Sequence, residues 1–264
     1  MIRTYRALFV AQIQAASQYR VQSVLWMLLA VIRPVIFLAA WVAVANAQGG
    51  RVGAYDVHDF AAYYISLTLV LHLVFSWNAY DFEYEVRQGR LSPKLLRPLH
   101  PLHYAVVENL VWKATTFIPL LICLAIVVVT FEARFRTTPV HLILFVPSVL
   151  LGAALSFISG WVLATTAFWT TRVHAVSTLW DRGVFIFAGM IAPIALLPGA
   201  LQTLSLVLPF GYMLGVPAEI LRGGVDVPTA LLLMGGQTIW IVVFYVALQR
   251  VWRAGVRQYT AVGA

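Results

Sequence analysis

The sequence predicts an all-α membrane protein with six transmembrane helices and an N-terminal amphipathic helix lying in the interface. Three observations carry that prediction. Of the 264 residues, 61% are hydrophobic and the mean hydropathy is +0.86, whereas a soluble domain is roughly 45–50% apolar. Apolar runs close to the ~20 residues that cross the bilayer's hydrocarbon recur along the whole chain. The basic residues also collect in alternate gaps between those runs. Chains of this size and composition normally form one bundle, so residues 1–264 are expected to form a single transmembrane domain.

Residues 1–22 place Tyr5, Leu8, Phe9, Ile13 and Tyr19 near helical spacing among Arg3, Arg6, Gln12, Gln14, Gln18 and Arg20. That pattern suits a helix lying along the leaflet. The first span is expected from Val24 to Ala45. Ala45–Asn46–Ala47 resembles a signal-peptide cleavage site, but the apolar run Val24–Ala45 has 22 residues, more than the roughly 7–15 of a signal core, so a retained span is expected. A Gly-rich gap, 46–59, precedes a second span from Phe60 to Tyr80.

A charged island, 81–98, follows. Glu83, Glu85, Arg87, Arg90, Lys94 and Arg97 fall within 16 residues, interleaved with Val86, Leu91, Leu95 and Leu96. Such a segment cannot lie in hydrocarbon. It reads either as a solvated loop or as a short helix and turn that docks on a partner, with Pro93 and Pro98 separating it from the next span.

The third span is expected over Ala114–Phe131 with a lead-in from His103. The fourth covers Val140 to Trp169, long for one crossing, so it is expected to kink at Pro147 and Gly152 or to tilt. Thr170–Arg182 reads as a polar gap and 183–197 as a fifth span. Pro198, Gly199, Pro209, Gly211, Gly215, Pro217, Gly223 and Gly224 then interrupt an apolar stretch, which predicts short helices over 198–225 at the outer interface or dipping inward. The sixth span runs from Val227 to Leu248, followed by a basic tail with Arg250, Arg253 and Arg257.

Twelve Lys and Arg residues flank the spans on the side of the island and the termini, and four (Arg51, Arg134, Arg136, Arg222) flank the other. The positive-inside rule then puts both termini, the island and 170–182 in the cytosol. It also accounts for the net charge of +8 better than nucleic-acid binding does, since no basic stripe lies on a polar background.

Candidate chemistry is sparse. Cys123, the single cysteine, excludes an intrachain disulfide. His100 and His103 lack a third ligand in sequence, so no metal site is expected. Asp56 and Asp59 could serve a lipid-modifying enzyme, but capping of the second span explains Asp59 more simply. Arg33, deep in the first span, would cost about 2.5–3.5 kcal/mol on insertion scales; it either snorkels, pairs with Glu108, or lines a pathway. Glu219 and Arg222 stand at i, i+3, close enough to pair.

The run Glu85–Val86–Arg87–Gln88–Gly89–Arg90–Leu91 onward to Leu95–Leu96–Arg97–Pro98 resembles the coupling helix of permease subunits of type 2 ABC exporters of about 260 residues. Leu197–Gly223 is similar to their irregular region between fifth and sixth spans, and Gly255–Gly263 to their basic tail. The resemblance implies a transport subunit of the bacterial inner membrane. Two permeases, identical or related, would join two ATP-binding subunits that hold ATP and magnesium. It implies that Glu83, Glu85, Arg87, Gly89, Arg90, Leu91, Leu95, Leu96 and Arg97 engage the ATPase. Arg172, His174, Asp181 and Arg182 would make a lesser cytosolic contact. No Gly-x-x-x-x-Gly-Lys-[Ser/Thr] run occurs in the sequence, so no cofactor is expected on this chain. An ion-coupled secondary transporter is the alternative class, and a lipid-modifying enzyme the third.

Overall fold

The computed structural model describes residues 2–18, 20–170 and 173–258. It is a helical bundle with two distinguishable ends: one carries the charged island, the other a small β-hairpin. α1 (Ile2–Gln18) packs against the start of α6 (Leu102–Thr130) at the island end, where the Tyr5 hydroxyl meets His103 Nδ1. α2 (Arg20–Ala47) then crosses to the hairpin end, starting four residues before the expected span.

The hairpin joins β1 (Arg51–Val52) to β2 (Tyr55–Asp56). Asp56 caps α3 (Val57–Val74): the Asp59 amide donates to Asp56 Oδ1 at 2.8 Å, and the Asp56 amide donates to Asp59 Oδ2 at 3.3 Å. That reciprocal box fixes the start of the most buried helix in the protein, with Phe60 to Leu67 buried without interruption. A helix buried on all faces is read from sequence as apolar throughout, not amphipathic, and α3 is the centre of the core.

The expected second span ends early. α3 stops at Val74, and after a break at 75–77 the chain restarts as α4 (Asn78–Arg87). α5 (Leu91–Leu95) follows, with Gly89 in the left-handed region at φ 66° between them. Pro93 therefore does not stop a helix as expected. It lies in the first turn of α5, where its missing N–H costs nothing.

α6 absorbs the expected lead-in and third span in one helix. α7 (Pro139–Thr165) continues into a single 3-10 turn at 166–168, which accounts for the apparently overlong fourth span. α12 (Val227–Gln258) runs beside α7 in the same direction: His141 Nε2 meets the Val225 carbonyl at 2.8 Å, Ser148 Oγ donates to Gln237 Oε1 at 3.2 Å, and Trp161 packs on Trp252. The expected basic tail is the last two turns of α12. Arg250, Arg253 and Arg257 stay helical, and residues 259–264 lie outside the described residues.

Among the described residues five helices are long and apolar enough to cross a membrane: α2, α3 with its continuation, α6, α7 and α12. The expected polar gap and fifth span are differently arranged. α8 (Val173–Phe187) begins inside the gap and has 15 residues, about 22 Å at 1.5 Å each, too short alone for ~30 Å of hydrocarbon. Residues 188–193 continue as irregular backbone. Tyr63 Oη donates to the Gly189 carbonyl at 2.8 Å, and Tyr64 Oη and Trp41 Nε1 both donate to that of Ile191, at 2.7 and 2.8 Å. Side chains from α2 and α3 thus supply bonds that a helix would have made internally.

Beyond a 3-10 turn at 194–196, α9 (Gly199–Val207), α10 (Pro209–Met213) and α11 (Gly215–Arg222) fold back into the bundle. Gln237 Nε2 donates to the Tyr212 carbonyl at 2.9 Å and to that of Ser148 at 3.0 Å. Ser148 stands nine residues inside α7, about 13 Å from its start. Residues 209–218 are buried apart from Tyr212, and α11 returns to the hairpin end, stopping at Gly223 with φ 74°.

Candidate functional site

The island folds as a helix–turn–helix whose two faces differ. Ala79, Phe82, Val86 and Leu91 point into a cluster with Trp161, Ala164 and Leu248 from α7 and α12, bordered by Leu95, Phe168 and Trp252. Phe82 is packed by the rings of Trp161 at 5.0 Å, Phe168 at 5.6 Å and Trp252 at 6.0 Å. Burial of this size and shape anchors the island rigidly on two long helices.

The opposite face is exposed and polar. Tyr84, Gln88, Arg90, Pro93, Leu96, Arg97 and Pro98 are all exposed, Leu96 at 88%. An apolar side chain so open on a rigid charged element is the feature of a docking surface, although one residue alone is common on soluble proteins. Glu85 pairs with Lys94 across the turn. The Lys94 ammonium also lies over Tyr104 at 5.3 Å and the Arg90 guanidinium over Tyr84 at 5.1 Å. Arg97 Nη1 reaches Tyr104 Oη at 3.5 Å. These contacts tie α4, α5 and α6 into one body.

The expected coupling residues therefore divide. Arg90, Leu96 and Arg97 are exposed, and Glu85 and Leu95 are half-buried. Gly89 makes the turn. Glu83 and Leu91 face inward, Leu91 completely, and act by holding the element in place. Arg87 ends α4, and its side chain lies outside what is described.

Of the lesser contact, Arg172 lies outside the described residues. Tyr80 Oη donates to Asp181 Oδ2 at 2.8 Å, and the Tyr80 ring meets His174 edge-on at 5.4 Å. His174 and Asp181 thus join α8 to α4, placing the two sequence-predicted groups side by side. Arg182 is exposed farther along α8. Tyr80 had no sequence signal beyond its place at a span end, where aromatic residues are common.

Arg33 and Glu108 do not meet, which corrects the expected pairing. The Arg33 guanidinium lies over the Phe185 ring at 5.7 Å. Glu108 is at the island end of α6, lining a small cleft with Asp81, Glu85 and Lys94. One residue is halfway along its helix and the other two turns from the start of its own, so depth separates them.

At the hairpin end a second constellation is buried. Arg222 donates from Nη2 to Glu219 Oε2 at 2.7 Å and from Nη1 to Asp59 Oδ1 at 3.4 Å; Arg136 Nη2 donates to Asp59 Oδ2 at 2.7 Å. Tyr55 Oη donates to Glu219 Oε1 at 2.7 Å, under the Arg222 guanidinium at 4.5 Å. Burial would lower the Arg222 pKa, but Glu219, then Tyr55 and Asp59, outweigh it and raise it. Burial raises that of Tyr55 well above the usual phenol range, with the Glu219 charge adding to it. The Glu219–Arg222 pair was legible from spacing. The partners Tyr55, Asp59 and Arg136 were not, because sequence separation hid them.

Among the described residues no group of three or more His, Cys, Asp or Glu side chains could hold a metal ion. His100 and His103 are otherwise engaged: the Leu102 amide donates to His100 Nδ1 at 3.2 Å, and His103 meets Tyr5.

No individual curated protein matches the chain. The family model described as ABC-2 family transporter protein matches residues 29–263, a range that includes most of α2, the island, the folded-back segment and all of α12. By that match over most of its length the chain, a multi-pass helical membrane protein, belongs to the ABC-2 family of transporter proteins.

Proposed function

We propose that this chain is the permease subunit of an ATP-driven exporter, and that α4, the turn at Gly89 and α5 form the element through which a separate ATP-binding subunit moves it. One observation supports this above the rest: the island is anchored by buried aromatic and aliphatic side chains yet presents Tyr84, Arg90, Leu96 and Arg97 outward. A rigid element with that division transmits a push as rigid-body motion of the helices beneath it. Family membership supports the same partner class.

In this reading α8 with 188–196 makes the fifth of six crossings, and the termini and island face the cytosol of a bacterial inner membrane. Residues 198–225 enter the bundle from the outside, and α1 lies along the inner leaflet. Two permeases, identical or related, form the pathway, with two ATPases carrying ATP and magnesium; this chain holds no cofactor of its own. His174 and Asp181 brace α4, and so act on the partner indirectly.

The test is co-purification in mild detergent. Wild-type chain retains an ATP-binding subunit; the combined change Arg90→Ala, Leu96→Ala, Arg97→Ala releases it while membrane insertion and thermal unfolding are unchanged. An ATPase still bound and fully coupled after those changes would overturn the assignment. Turnover of a lipid by the lone chain, or transport driven by a proton gradient without ATP, would favour the other classes.

A further inference from the structure

α6 has 29 residues, about 43 Å at 1.5 Å each, against ~30 Å of hydrocarbon. Lys113 stands 11 residues after its first, about 16 Å from the island end. Even if the whole excess of about 13 Å projects at that end, the Lys113 backbone lies roughly 3 Å inside the hydrocarbon.

The residue sits on the rim of its helix. Asn109 and Thr116, four before it and three after, are buried, whereas Leu110 and Ala114 are exposed; Lys113 itself is half-buried. Among the described residues no carboxylate, hydrogen bond or aromatic ring receives its ammonium. Glu108, the nearest acid in sequence, lines the cleft beside Lys94.

A charge at membrane depth requires a partner or a water-filled cavity, and the neighbours of Lys113 are aromatic. His72 of α3 donates from Nε2 to the Lys113 carbonyl at 3.2 Å. The His72 ring lies 5.0 Å from that of Trp112 and 6.3 Å from that of Phe117. Trp77 meets Trp112 edge-on at 5.1 Å. Asn109 Nδ2 donates to the Phe75 carbonyl at 3.3 Å, which fixes the break between α3 and α4 against the same part of α6.

We propose that Lys113 binds the phosphate of an anionic phospholipid in the leaflet at the island end, with an acyl chain running down past the exposed Ala114 and Ile118. Helical side chains lean towards the N-terminus of their helix, which for α6 is the island end. The four-carbon stem therefore carries the ammonium up towards the phosphate layer. Charge selects the class: phosphatidylcholine brings its own cation to its phosphate, whereas phosphatidylglycerol leaves that charge for Lys113. Naming this leaflet cytosolic rests on the orientation proposed above; the binding does not.

The experiment reconstitutes the full chain in phosphatidylcholine vesicles and titrates its tryptophan fluorescence with phospholipids carrying brominated acyl chains, which quench tryptophans they touch. The Trp112 share is the difference from Trp112→Phe. Brominated phosphatidylglycerol should quench that share at about a fivefold lower mole fraction than brominated phosphatidylcholine. Lys113→Gln should make the two lipids equal and Lys113→Arg should keep the preference, with thermal unfolding verifying each fold. Equal quenching by both lipids in the unaltered chain, a reading that needs no Lys113 variant, overturns the inference. So does a preference that survives Lys113→Gln. Displacement of the brominated phosphatidylglycerol by inorganic phosphate, beyond that by chloride of equal ionic strength, marks a free-anion site and overturns the lipid assignment. No reading involves an ATP-binding chain, so failure of the exporter reading would be seen separately.

Discussion

At the residue scale the two arginines of the hairpin end provide a contrast set by burial. Arg222 is 7% exposed and shared by Glu219 and Asp59, whereas Arg136 is 57% exposed. Removing one member of a buried pair strands the other charge and typically costs about 3–5 kcal/mol, while an exposed pair is worth about 0–1 kcal/mol. Arg222→Ala is therefore expected to lower the thermal-unfolding midpoint in detergent clearly, and Arg136→Ala only slightly. Equal losses would show that the network is not organised around Arg222. Capping of the second span was expected at Asp59, but the cap of α3 is Asp56 and Asp59 is its reciprocal partner three residues on; Glu219 with Arg222 was legible from their spacing. Tyr55 and Arg136 were illegible because nothing local marks a side chain that meets its partner across the fold.

At the element scale the island separates anchoring from docking. Leu91 is fully buried, so Leu91→Ala should open a cavity costing about 2–5 kcal/mol locally; Leu96 is open, so Leu96→Ala should leave unfolding unchanged and weaken only the hold on the ATP-binding chain. The pair is read by thermal unfolding and co-purification together, and stability loss from Leu96→Ala would sink the division. Gly89→Val forces a β-branched residue to φ 66°, a cost of about 1–2 kcal/mol, and should loosen the partner while the long helices persist. Sequence composition marked this island but not its inner face, because the same leucines serve packing or docking depending on which way the turn at Gly89 points them. Likewise α8 was obscured: Thr170, Arg172 and Arg182 read as a gap, while the stretch that ends it, 188–193, is apolar enough to read as span. What distinguishes helix from irregular backbone there is the donors Trp41, Tyr63 and Tyr64, which come from other helices.

At the scale of the whole molecule, hydropathy and charge were sufficient to give a helical membrane bundle, since a chain this apolar has few other ways to satisfy its backbone. The proposed orientation rests on the distribution of basic residues, and it is testable. Gln88→Cys should react with an impermeant maleimide only in inside-out vesicles, and Arg51→Cys only on intact cells. Labelling of Gln88→Cys from outside would invert the protein and remove its ATPase face. The depth reached by 199–222 was not legible. Proline and glycine announce broken helices, but only the contacts of Tyr212 with Gln237 set how far they descend.

The bends at Gly189 and Ile191 rely on hydroxyl and indole groups borrowed from α2 and α3. Main chain tethered that way can change hands, one acceptor at a time, as neighbouring rods slide, without any rod unravelling. Force entering at α4, and passed through Asp181 into α8, would thus arrive at a joint already built to yield.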